Sequence, residues 1–405
     1  MKVLQIHNFY RTRGGECAVV KAEQKLLEEK GHTVWQFVKD SQDLDRCSLI
    51  QKALYAVQIP YNLQTVHQLS RFMKYQKPDV AHVHNVFPLL SPTVFRTLKQ
   101  YGIPVVQTIH NCRFLCPNGL FYTEGMICED CLHKGQLSSV KKRCIHGSKA
   151  LSFLYASSLI LAWRAGIFKN SIDQFIALNT FMANKLVQGG VPREKISICG
   201  NFIRKQAQKV QTKKPYVLFM GRLSSEKGLE TLIKAARNVP SLQLKVAGTG
   251  PLEDKLKAMA AELGQGRIQF LGRVTGHKKD QLLQEALCTV IPSEWFENFP
   301  MSVVESFASG TPVIGSRIGG LPEMIDHGKT GLLFTPGDVD ELSICLRIMM
   351  NDHKKVRQMT GRALDTAHER YGPETHYQQL IDIYNESMAG SHQHGEQRIY
   401  RRREA

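Results

Sequence analysis

The chain has 405 residues, of which 42% are hydrophobic, 22% charged and 8% aromatic. That length exceeds one compact core and suits two domains, and the apolar content excludes global disorder. The net charge of +17 is lopsided: residues 1–209 hold 28 Lys+Arg against 13 Asp+Glu (+15), and residues 210–405 hold 25 against 23 (+2). Halves so different suit different partners, and the basic half suits phosphorylated substrates, anionic lipid or nucleic acid.

Met1–Tyr10 reads as a strand, without the basic start and small-residue cleavage site of a signal peptide. Further strands are expected at Thr33–Val38, Val80–His84, Val105–His110, Gln174–Ala177 and, more weakly, Ile196–Cys199. Helical patterns such as Ala18–Glu29 and Val94–Tyr101 fall between them. Continuous apolar runs joined by crossover helices are the pattern of a buried parallel sheet. The most apolar stretch, Leu151–Trp163, stops at Arg164 and falls short of the roughly 20 residues that span a bilayer. The expectation is a cytoplasmic protein, peripheral at most on the inner face of the membrane.

Several elements of this half carry candidate chemistry. Arg11–Glu16 (RTRGGE) follows the first strand, and Gly14 and Gly15 let backbone approach a phosphate or sugar closely. The spacing is not G-x-G-x-x-G, and the competing reading is an ordinary loop. His82 and His84 alternate on one strand and share a face. A packed, hydrogen-bonded pair is preferred over a metal pair. His110 ends the strand VVQTIH.

Cys116, Cys128, Cys131 and Cys144 read C-x11-C-x2-C-x12-C, with Cys112, His133 and His146 as spare candidates. Four thiolates make a closed structural zinc site, without room for a catalytic water; the competing reading is free thiols. Lys141, Lys142, Arg143 and Lys149 lead into LSFLYASSLILAWRAGIFK. Basic residues beside an apolar stretch suit an anionic membrane, and a buried core helix is the alternative. Asp43–Leu44–Asp45 looks like a metal-binding D-x-D but reads as a solvated turn.

Arg204–Pro215 is polar and basic and reads as the linker between domains 1–203 and 216–370. A helix over 371–388 is expected to pack back on the first domain, followed by a disordered basic tail over 389–405. The second half repeats the alternation, with strands at Tyr216–Met220, Gln243–Ala247, Ile268–Leu271, Thr289–Ile291, Val313–Ser316 and Gly331–Phe334. The helices Leu229–Arg237, Leu252–Leu263 and Met301–Ser309 fall between them. The fold class is α/β, two Rossmann-like doubly wound domains facing across a cleft.

The sharpest constellation is Ser293–Gly310 (SEWFENFPMSVVESFASG), in which Glu297 and Glu305 stand eight apart. Pro300 is placed to begin a helix, so Glu305 lies on that helix and Glu297 in the loop before it. Free N–H groups around Phe299–Ser302 suit a diphosphate.

Residues 216–338 resemble the carboxyl-terminal domain of retaining glycosyltransferase family 4, with the GT-B fold. The matching pieces are FMGRLSSEKGLETLI, VAGTGP, FLGRV, E-x7-E, GTPVIGS and GGLPE with GLLF; the amino half resembles the family more loosely. The resemblance implies transfer of a sugar from a nucleoside-diphosphate donor (UDP or GDP) to a glycan or lipid-linked acceptor. It implies retention, and no cofactor for catalysis. It puts Arg222 and Lys227 on the diphosphate, Glu297 and His110 on the sugar and Glu305 on the ribose. It also implies that Gly14, Gly15, Gly221, Gly248, Gly250, Asn298, Phe299, Pro300, Met301 and Ser302 line the donor. Two departures stand out: Pro300 replaces the usual glycine and removes a backbone donor, and Asn111 stands where relatives often have Asp. Three other readings remain open: an epimerase of the same fold, a noncatalytic nucleotide-sugar scaffold, and a nucleic-acid binder, for which no aromatic–basic motif is seen.

Overall fold

The computed structural model describes residues 1–11, 14–204, 212–262 and 266–403, with side chains given up to residue 389. The chain forms two compact units. The first comprises residues 1–121, 128–200 and 376–405, and the second residues 122–127 and 201–375. Most of the expected linker, residues 205–211, lies outside the described residues.

The first unit is a six-stranded sheet of order β2-β1-β3-β4-β7-β8, in which every pair is parallel. Its strands are β1 (Lys2–Phe9), β2 (Thr33–Asp40), β3 (Val80–Asn85), β4 (Val105–Ile109), β7 (Gln174–Ala177) and β8 (Ile196–Ile198). The order reverses at β1/β3, the crevice where ligands of such sheets bind. Between β4 and β7 lies the cysteine-rich insertion with its hairpin β5 (Tyr122–Thr123) and β6 (Met126–Ile127), which the sequence reading did not resolve.

The second unit has order β11-β10-β9-β12-β13-β14, again all parallel. The strands are β9 (Lys214–Met220), β10 (Gln243–Ala247), β11 (Ile268–Gly272), β12 (Ala286–Ile291), β13 (Val313–Ser316) and β14 (Gly331–Phe334). This is the dinucleotide-fold order, with its reversal at β9/β12. The central strands are mostly apolar, as expected where helices cover both faces, and every residue of β12 to β14 is buried.

The final helix runs Pro373–Arg403, beyond the expected end at residue 388. The backbone of residues 389–403, expected as a basic tail, continues this helix, while its side chains from residue 390 and all of residues 404–405 lie outside the described residues. From His376 onward this helix belongs to the first unit, where Leu380, Ile383 and Tyr384 join Val3, Leu27, Val80 and Val106 in one core. Leu380 is fully buried there. Leu380→Ala should therefore cost about 2–5 kcal/mol, read as a lower urea midpoint. An unchanged midpoint would mean that this helix is not part of the first unit's core.

Candidate functional site

In the second unit the loops at the carboxyl ends of β9, β10 and β11 are stitched together by backbone. Gly221 N donates to Ala247 O at 3.0 Å, Leu223 N to Thr249 O at 3.0 Å and Gly248 N to Gly272 O at 2.8 Å. Gly248 has φ +145, and a Cβ there would stand 1.8 Å from Gly221 O. Only glycine allows the two loops to lie this close. Gly250 sits against Leu223 O in the same way. Gly221 and Arg222 follow β9, and Arg222 is exposed.

The loops after β9 and β12, which flank the point of sheet reversal, supply the charged core of the site. Lys227 Nζ donates to Glu297 Oε1 at 2.7 Å. The same oxygen accepts from Ser293 Oγ at 2.7 Å and Trp295 Nε1 at 2.9 Å. Lys227 also stands 4.6 Å over the Trp295 ring, a cation–π contact. Glu297 is 5% exposed. Burial pushes its carboxyl pKa up, but the Lys227 charge and these hydrogen bonds outweigh it and hold the group below its ordinary value. Gly319 (φ +59), from GGLPE, backs this loop: a Cβ would stand 2.3 Å from Glu297 O, and Gly320 N donates to that oxygen at 2.7 Å.

Asn298 is buried and Phe299 half-buried, and the helix after them runs Met301–Ala308. Pro300 is its cap residue, with φ −67 and ψ 113, one position before the expected start. No side chain caps this end, so the N–H groups of Met301 and Ser302 are not used by a cap. Glu305 lies on the helix, and its Oε1 accepts from Lys279 Nζ at 2.6 Å.

His110 follows β4 in the first unit. Its Nε2 lies 3.0 Å from His84 Nδ1, and the rings stack with centroids 5.3 Å apart. His84 Nε2, buried without a hydrogen bond among the described residues, lies 3.4 Å from Glu23 Oε1. Burial, then the neighbouring histidine charges, hold His110 well below its ordinary pKa, so the ring is neutral. Glu23, His82 and His84 have ligand atoms within 4.8 Å of one another. Both His82 nitrogens, however, are engaged by hydroxyls, Nδ1 by Tyr384 and Nε2 by Thr108, each at 2.7 Å. His376 Nε2 lies 3.4 Å from Glu23 Oε2. Burial opposes a charge on His376, but Cys199 and Glu23 outweigh it and raise the pKa to about 10, so a cation faces this carboxylate. The cluster is a compensated hydrogen-bond network.

Gly14 caps the helix Gly15–Glu29, and a Cβ at Gly14 would meet nothing within 4 Å. Thr12 and Arg13 lie outside the described residues. Glu16, from the same RTRGGE segment, reaches Asn111: Nδ2 donates to Glu16 Oε2 at 3.4 Å and to Tyr10 Oη at 3.1 Å. The carboxyl group that Asn111 lacks is thus supplied, in its protonated form at neutral pH, from the first turn of the Gly15–Glu29 helix. Asp43–Asp45 forms part of a turn, Ser41–Arg46, and Asp45 pairs with Arg11 at 2.8 Å.

Among the described residues one pair of the four insertion cysteines is in contact, and no three of them bring their sulfurs within 4.8 Å of one another. Cys131 and Cys116 share a hydrogen bond, and Cys128 and Cys144 act on the Cys131 thiol electrostatically. Lys142 Nζ donates to Cys128 Sγ at 3.2 Å and pairs with Asp130 at 2.8 Å, so it is not a free surface cation.

Lys279, Ser293, Trp295, Glu23 and Glu16 were missed as site residues. Glu16, Ser293 and Trp295 all stood inside quoted segments. Lys279 and Glu23 meet their partners only through the fold, across 26 residues for Lys279–Glu305.

Burial raises Glu16 from its ordinary 4.5 to about 8. A raised carboxyl means that the folded state keeps a proton the unfolded state releases. Its stability contribution is therefore intact below about pH 4.5 and lost as pH rises toward 8. Glu16→Gln keeps the neutral form. Its melting temperature should match wild type near pH 4 and exceed it increasingly up to pH 8; parallel curves would show that Glu16 titrates normally.

Comparison with known proteins agrees with this architecture. Residues 18–206 match the family model described as Glycosyltransferase Family 4, and residues 201–365 match Glycosyl transferases group 1. An uncharacterized glycosyltransferase of Methanocaldococcus jannaschii is 31% identical over 183 residues, 44% of this chain and 47% of that protein. The sulfoquinovosyl transferase SQD2 of Arabidopsis thaliana is 33% identical over 164 residues, 40% of this chain and 31% of that protein. The alignments thus span less than half of these curated relatives. The Anabaena protein HepE, solved with UDP, superimposes with a TM-score of 0.66 over 95% of this chain and 100% of its own, at 18% identity. Two all-parallel Rossmann-like sheets, each matched by its own family model, identify the chain as a member of glycosyltransferase family 4, with the GT-B fold.

Proposed function

We propose that this chain transfers a sugar from a nucleoside-diphosphate sugar to a glycan or lipid-linked acceptor, with retention, in the synthesis of a surface polysaccharide or glycolipid. The observation that carries the reading is the Lys227–Glu297 pair beside the sheet reversal of the second unit. A fixed cation there stabilises the charge that develops on a departing diphosphate, and Arg222 adds a second. The N–H groups of Met301 and Ser302 receive phosphate oxygens, which Pro300 cannot do. Glu305 accepts from ribose hydroxyls and Glu297 from those of the sugar. No metal is required at the donor. Retention and same-face attack, with the donor phosphate assisting deprotonation of the acceptor, follow from the family resemblance alone. UDP is the preferred nucleotide, because HepE was solved with it; GDP is the alternative.

His110 acts from the first unit. A proton on His84 Nε2 is favoured by the Glu23 carboxylate 3.4 Å away. That leaves His84 Nδ1 bare, so His110 Nε2–H donates to it and His110 Nδ1 is left to accept a sugar hydroxyl. A Cβ at Gly14 would meet nothing within 4 Å, and Gly14 and Gly15 would let backbone approach a phosphate or sugar closely.

The spacing of Cys116, Cys128, Cys131 and Cys144 and the Cys116–Cys131 hydrogen bond support a structural zinc, which would have to draw the other two thiolates in and would tie the insertion together. The purified protein should carry about one zinc per chain, and Cys128→Ser/Cys131→Ser should lose it and melt lower. A metal-free wild type would refute the site. We also place a peripheral membrane contact in the basic first unit, near the acceptor.

The donor reading is tested by thermal shifts with UDP, GDP, ADP and dTDP in EDTA, for wild type and Glu305→Ala. One nucleotide should stabilise wild type, and the variant should show a clearly smaller shift. No response to any nucleotide would defeat the proposal.

A further inference from the structure

The helix Leu49–Val57 is built inside out. None of its residues is buried. Leu49, Ile50, Leu54 and Val57 are 84%, 75%, 58% and 66% exposed, while Lys52, Tyr55 and Ala56 are turned partly inward. At the helical period the four apolar residues fall within an arc of about 140°. The exposed stripe continues past the helix through Tyr61 and Leu63.

The helix is nevertheless well formed. Ser48 and Gln51 make a reciprocal capping box. Ile59, just beyond, is buried, and its carbonyl accepts from Ser158 Oγ at 3.2 Å. That hydrogen bond joins it to the helix Lys149–Arg164, which itself exposes Phe153 and Leu161. An ordered apolar face of this kind marks an interaction surface.

Charge identifies the occupant. Residues 46–78 contain Arg46, Lys52, Arg71, Lys74 and Lys77, and no Asp or Glu. Residues 131–172, which include the helix joined to it, contain seven Lys+Arg and no Asp or Glu. A second copy would bring two such basic faces together, which is repulsive. A nucleic acid would not cover Leu, Ile and Val. An anionic bilayer accepts both, with apolar side chains in the acyl boundary and cations at the headgroups. No helix among the described residues is long and apolar enough to cross a membrane, so the contact is interfacial.

We infer that the outward apolar face of the Leu49–Val57 helix inserts into the surface of an anionic membrane and, with the basic residues around it, docks the first unit there. This deepens the peripheral-membrane reading above and moves its centre from the Lys141–Arg143 stretch to this helix. Flotation with vesicles of phosphatidylcholine and phosphatidylglycerol, against vesicles of phosphatidylcholine alone, tests it for wild type and Ile50→Ser/Leu54→Ser. Both positions are exposed, so the fold should tolerate the change. Wild type should float with the anionic vesicles, and the variant should bind them at least tenfold more weakly. The variant's response to UDP should be unchanged, which keeps this test separate from the donor reading. Equal flotation of variant and wild type, equal binding to neutral vesicles, or no binding by wild type would overturn the inference. So would a wild-type dimer in light scattering that the variant loses, since it would assign the face to a second copy.

Discussion

A carboxylate with only 5% of its surface exposed needs a compensating charge, or it gives up its own. Glu297 meets that requirement with Lys227, and Ser293 and Trp295 complete the shell. Much of the rest of the second unit serves this arrangement. The sheet reversal sets the loops after β9 and β12 side by side. Gly319 lets the GGLPE loop close on the Glu297 backbone, and Gly248 lets the β10 loop close on that of β9. The cost of gathering buried charge is borne by a sheet whose central strands are mostly buried and apolar.

The first unit has a matching constraint of the opposite kind. Glu23 is also buried, but its compensation comes from histidines on β3 and on the final helix. The helix that begins after the second unit's last strand thus does more than fill a groove in the first. His376 and Tyr384 hold the network on which His84, and through it His110, rests. Loss of packing at the carboxyl terminus would therefore reach the candidate sugar-binding histidine.

Most of the architecture was legible because buried parallel strands are continuous apolar runs of fixed length. β7, β10, β13 and β14 fall on the expected residues without adjustment. Glu297, Glu305, Lys227 and the glycines were legible because their spacing is set by one strand–loop–helix unit each. The partner of Glu305 was not, since Lys279 lies on a different helix and nothing in its local sequence separates it from a solvated lysine. The pairing of Asn111 with Glu16 needed the start of the Gly15–Glu29 helix and the loop after β4 to meet across β3, which separates β1 from β4. The Leu49–Val57 helix shows the limit of periodicity: its pattern is an ordinary amphipathic one, and only the fold reveals that the apolar side faces out.

The central claim is that Lys227 holds a donor diphosphate without a metal. Calorimetric titration of UDP into wild type and Lys227→Ala, both in EDTA, tests it most directly. The account predicts binding by wild type and an affinity at least tenfold weaker in the variant, about 1.4 kcal/mol or more. Equal affinity would contradict it, and so would wild-type binding that vanishes with EDTA.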